Sequence, residues 1–85
     1  MVERGKFADI IRGRRKQLGI RLEKLEKKTG LTIVRISALE RGVDLPTDAE
    51  IEAFLRPLNL QHERTYLFRA AADDAARVER EGAIE

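Results

Sequence analysis

The stretch TGLTIVRISALERG, residues 29–42, decides the fold. Gly30 can take the left-handed backbone that ends one helix, and Thr32 carries a hydroxyl able to accept an N–H from the first turn of the next. Ile36 and Leu39 are three apart, on one face of a helix, and Gly42 supplies a stop. The stretch therefore predicts a tight turn and a short helix beginning at Thr32. Its other positions are unusual, because Ile33, Val34 and Ala38 are apolar and Arg35 and Arg41 are cationic.

Working outward, Phe7, Ile10, Ile11 and Leu18 share one helical face, and Gly19 follows where a C-terminal cap belongs. Leu22 and Leu25 carry the period into a short second helix ending at Thr29, with Lys27 and Lys28 favoured there by the helix dipole. After Gly42, Pro46 stays outside a fourth helix, Thr47 caps it and Glu50 completes a capping box. Ile51, Phe54, Leu55 and Leu58 form its apolar stripe, and Pro57 kinks its last turn or ends it near Arg56. Leu60 leads to a fifth helix, running from about Glu63 toward Arg80, in which Tyr66, Leu67, Ala70 and Ala71 face inward. Its later part, DDAARVEREGAIE, has almost no apolar stripe and is expected to fray. Nothing reads as strand, repeat or low-complexity tract. The prediction is an all-α, compact five-helix domain over residues 1–75, with 76–85 as an extension of the fifth helix or a frayed tail.

A chain of 85 residues makes one domain and buries only roughly 60 to 65% of the surface its unfolded form exposes. There is no Cys, which excludes disulfides and thiolate chemistry, and the N-terminal stretch has no apolar run of signal-peptide or membrane-span length. A soluble, cytoplasmic protein is expected. Residues 1–41 hold 12 Lys and Arg against 5 Asp and Glu, whereas 42–85 hold 5 against 10, so only the first half would be drawn to a polyanion. The plainer reading of these charges is a solvated helical surface. The inventory for catalysis is poor: His62 stands alone in a charged segment, Ser37 has no base adjacent in sequence, and no phosphate-binding loop or metal-ligand spacing occurs. No enzyme, metal or cofactor is implied.

Two short helices joined by a Gly-containing turn, the second capped by Thr, have the form of a helix-turn-helix, about residues 21–41. The run RRKQLGIRLEKLEKKTGLTIVRISALERG, with FADII before it and LPTDAEIEAFLRPLNL after it, resembles the Cro and lambda-repressor-like (XRE-type) helix-turn-helix domains of bacteria and phages. The resemblance covers about residues 7–60 and is carried by Leu25, Thr29-Gly30-Leu31, Ile36-Ser37 and Leu39-Glu40-Arg41-Gly42. It implies a double-stranded DNA-binding transcriptional regulator, most simply a repressor and homodimer, with residues 32–41 as the recognition helix in the major groove. It also implies an ion pair between Arg15 and Glu40, whose alternative is two solvated charges.

The chain departs from that pattern in ways that matter. Arg21 and Leu22 stand where a Thr or Ser cap and a Gln are usual, and Arg21 can reach a phosphate but cannot cap. Glu26 stands at the small position where the two helices cross, so its carboxylate must bend out to water or find a cation. The loop after Gly42 is not basic. By family position Ile33, Val34 and Ala38 face base edges, where apolar groups can pack on thymine methyls but cannot form bidentate bonds to G or A. The expected DNA contacts are Arg21, Leu22, Lys28, Thr32, Ile33, Val34, Arg35, Ser37, Ala38 and Arg41, with the cations on phosphates. A competing reading makes Leu22, Ile33 and Val34 a docking patch for a partner protein, as in an antirepressor. A third folds Ile33 or Val34 back into the core.

Overall fold

The computed structural model describes residues 5–82. Five helices follow one another: α1 (Lys6–Leu18), α2 (Leu22–Thr29), α3 (Ile33–Glu40), α4 (Asp48–Leu55) and α5 (Arg64–Gly82), with a 3₁₀ turn, Gln61–Glu63, leading into α5. No strand occurs among the described residues. The expected stops are where the sequence puts them. Gly19 and Gly30 close α1 and α2 in the left-handed region, at φ 69° and 79°. The Thr32 hydroxyl accepts the Arg35 N–H, and Thr47 and Glu50 form a reciprocal capping box on α4. Pro57 follows the end of α4 at Leu55, and Asn59, at φ 54°, turns the chain toward Leu60.

The core gathers Phe7 and Ile11 of α1, Leu25 of α2, Ile36 and Leu39 of α3, Ile51, Phe54 and Leu55 of α4, then Leu58, Leu60 and Leu67. Phe7 and Phe54 meet edge to face, with centroids 6.0 Å apart. Burial of this set supplies the main driving force for folding, on the order of 2 kcal/mol for each large side chain removed from water.

Two apolar expectations fail. Leu18 is 38% exposed in the last turn of α1, and Tyr66 is 61% exposed on the outer side of α5. In α5 the buried stripe is instead Leu67, Ala70, Ala71 and Asp74, which is i, i+3, i+4, i+7. Asp74 also ties α5, which runs to Gly82, back to the start of α1. Its two carboxylate oxygens accept the backbone N–H groups of Lys6 and Phe7, both at 2.9 Å, so α5 caps the N-terminus of α1. Gly5 makes this approach possible: its φ is 102°, and a Cβ there would lie 3.1 Å from an Asp74 oxygen.

Candidate nucleic-acid interface

The orientation of α3 follows from what its inward face holds. Ile36 and Leu39 are fully buried, and Glu40, 4% exposed, ends the same face. Glu40 receives Arg15 in a two-pronged pair, Nε to Oε2 at 2.6 Å and Nη2 to Oε1 at 3.0 Å. The remaining Arg15 prong donates to the Ile20 carbonyl at 3.0 Å, which ties the α1–α2 connection to the same point. The Glu40 hydrogen bond raises the Arg15 pKa above its ordinary value, and among the described residues no buried side-chain N or O lacks a partner. The ion pair implied by family likeness is thus a buried brace across α1 and α3.

Turning α3 this way leaves Val34, Ser37, Ala38 and Arg41 on its outer side, at i, i+3, i+4 and i+7. Val34 is 80% exposed. Arg41 is exposed too, with one weak bond at 3.4 Å to the Ser37 carbonyl of its own helix. Ser37 and Ala38 are half-buried and small, so another surface can come close to the backbone between the two longer side chains. Ile33 is half-buried at the edge, and Thr32 is exposed with its hydroxyl engaged by the cap. Leu22 and Leu31 are partly buried against the core, so of the patch expected from Leu22, Ile33 and Val34 only Val34 is fully open, with Leu22 and Ile33 half-buried. Arg21 and Lys28, at opposite ends of α2, are both exposed.

Arg35, expected on a phosphate, is engaged by acidic groups of its own chain. Its guanidinium bonds Glu50 through Nε at 2.6 Å and Nη2 at 2.9 Å, Asp44 through Nη1 at 2.6 Å and the Leu45 carbonyl at 3.2 Å. Its pKa is raised, first by Glu50, and Arg35 in turn holds the Asp44 and Glu50 carboxyls below their ordinary range. The cause lies in the chain's acidic loop: Asp44 and the capping-box Glu50 converge on the side of α3 from which Arg35 projects. One Glu50 oxygen serves both the capping box, at 2.8 Å from the Thr47 N–H, and the clamp. Sequence pattern identified the cap but not this second use.

Glu26 also meets a partner not foreseen from sequence. Its carboxylate reaches the next helix: Oε2 accepts the N–H of Ile33, the first residue of α3, at 2.9 Å. Thr29 stabilises the turn between them, donating to the Leu25 carbonyl at 2.8 Å and accepting the Leu31 N–H at 3.1 Å. The signal for Glu26 was its position opposite the N-terminus of α3, where a negative charge is stabilised by the dipole. Arg14, within the basic half, donates to the Leu58 and Asn59 carbonyls in the turn that follows α4. Arg14, Arg15 and Arg35 are therefore occupied in holding the fold.

A braced short helix, backed by a second across a three-residue turn and presenting a solvent-facing stripe, defines the helix-turn-helix class of DNA-binding domain. The Helix-turn-helix family profile matches residues 11–64, well over half of the chain, and the chain belongs to this family, the Cro and lambda-repressor-like regulators of XRE type. It is a DNA-binding transcriptional regulator of that type, with double-stranded DNA as its partner. No curated protein matches it significantly. No described helix is long and apolar enough to cross a membrane, and no group of three or more His, Cys, Asp or Glu side chains gathers among the described residues to hold a metal ion.

Proposed function

We propose that the protein is a sequence-specific repressor that reads T-rich steps of duplex DNA with α3 in the major groove, acting as a homodimer in the cytoplasm. The observation that carries this reading is Val34. A valine held 80% exposed at the start of a braced helix is suited to meeting base edges, and it can pack on a thymine methyl. Ser37 and Ala38 allow close approach, while Arg41, Lys28 and Arg21 neutralise phosphates around it. Thr32 and Ile33 line the entry of the helix, and Leu22 supports it from within. Arg35 acts here by fixing α3 on α4, not as a phosphate contact.

One domain touches too few bases for strong discrimination, so two copies on half-sites about 34 Å apart are required. The exposed side of α5, which carries Tyr66, is the surface proposed for pairing. The second reading, docking of a partner protein on the α3 face, is favoured by the exposure of both Val34 and Val43.

Selection of bound duplexes from a random pool at physiological salt, together with mass measurement of the free protein, tests the proposal. Enrichment of a two-fold, T-containing site by a dimer is the expected result, with Val34→Asp abolishing it. Failure to enrich any sequence turns the assignment to protein docking.

A further inference from the structure

The N-terminus of a recognition helix is a natural seat for a backbone phosphate, because its first N–H groups lack intrahelical acceptors and the dipole favours an anion. In this protein that seat is filled from within. Of the first three N–H groups of α3, that of Ile33 is taken by the Glu26 carboxylate at 2.9 Å and that of Arg35 by the Thr32 hydroxyl at 3.1 Å. Glu26 reaches it from the middle of α2, where Leu25, its neighbour in sequence, is fully buried and fixes the register of the helix. The carboxylate is half-buried, and it lies against Ile33, immediately beside Val34 at the edge of the face assigned to DNA.

We infer that Glu26 is a positioning residue that denies the N-terminus of α3 to DNA phosphate. Two effects act together. The bond from α2 to the first residue of α3 sets the angle between the two helices at the point where Val34 projects. The negative charge repels a phosphate that would otherwise settle on the Ile33 and Val34 amides and draw α3 end-on toward the backbone. Phosphate contacts are thereby left to Arg21, Lys28 and Arg41, and the side of the helix, with Val34 and Ala38, is kept for the bases. The inference rests on the DNA-reading assignment above, but it has a consequence that needs no DNA.

The test uses the full chain and two variants. Glu26→Gln keeps an oxygen that can accept the Ile33 N–H but carries no charge; Glu26→Ala removes both. Thermal melts establish that each is folded. Inorganic phosphate is then titrated against each while the backbone amide resonances are followed. The expected result is that the Ile33 and Val34 amides of the parent do not respond and those of Glu26→Ala do, saturably. On a duplex that the parent binds, Glu26→Gln is expected to gain at least about threefold in affinity at 100 mM salt, the effect of deleting one negative charge near phosphate. Its salt dependence should steepen by up to about 0.9 logarithmic units per decade, one extra phosphate neutralised. A parent that responds to phosphate as Glu26→Ala does overturns the inference, as does a Glu26→Gln variant whose affinity and slope on that duplex equal the parent's. A parent that binds no duplex overturns the DNA-reading assignment instead, and the phosphate titration alone then decides the role of Glu26.

Discussion

Glu40 and Arg35 are both charged positions on α3, and in the sequence they look alike. Their surroundings separate them. Glu40 is enclosed, so Glu40→Ala leaves the partly buried Arg15 guanidinium without its carboxylate; a loss of about 3 kcal/mol is expected, read from urea unfolding. Arg35 sits at the edge of the helix and is held by two acids and a carbonyl. If it served a phosphate, Arg35→Ala would flatten the salt dependence of DNA binding by about one logarithmic unit per decade. The clamp predicts another result: Arg35→Ala weakens binding through misplacement of α3, with no such flattening, while Arg41→Ala flattens the slope. Salt titrations of the two variants beside the parent distinguish these outcomes. The sequence announced the cations at 35 and 41 equally well, but the difference lies in where Asp44 and Glu50 arrive, which depends on how the loop folds.

Among the elements, α3 is fixed at three places: to α1 by Arg15 and Glu40, to α4 by Arg35 and Glu50, and to α2 by Glu26. The α3–α4 link has a predictable pH dependence. Asp44 and Glu50 are held below their ordinary pKa range by Arg35, and a carboxyl depressed in the folded state contributes stability that is fully present above its unfolded value. That contribution is lost as the pH falls from the ordinary carboxylate value, about 4.3 for Glu, through the lower folded value. Arg35 stays charged throughout. Melting temperature should therefore fall in this acid window more steeply for the parent than for Glu50→Gln, and a Glu50→Gln curve parallel to the parent's would mean that the clamp contributes no such linkage. At this scale the helix boundaries were legible, because Gly19, Gly30, Thr32, Thr47 and Pro57 act through local backbone geometry. The inward face of α5 was not fully legible: Tyr66 fits an amphipathic pattern as well as Leu67 does, and only packing against α1 shows that Asp74 replaces it. A carboxylate in a buried stripe has no signature in hydrophobic periodicity, since its place is determined by the N-terminus of another helix.

For the whole molecule, the division into a basic first half and an acidic second half has a dual origin. Some cations serve the fold, as Arg14, Arg15 and Arg35 do, and the exposed remainder around α2 and α3 gives the field that would draw in DNA. A dimer making about eight phosphate contacts should lose roughly 10³ to 10⁵ in affinity between 50 and 200 mM salt, whereas an apolar protein contact through Val34 and Val43 would scarcely respond. Salt alone reports on the phosphates, however, and the distinctive claim concerns the apolar tip of α3. The most direct measurement is the affinity of the parent and Val34→Ala for a selected duplex and for the same duplex with each contacted thymine replaced by uracil. The parent is expected to lose about fourfold per methyl removed, the value of about 0.8 kcal/mol for one buried carbon group, and Val34→Ala markedly less. Equal binding of the thymine and uracil duplexes by the parent would contradict it.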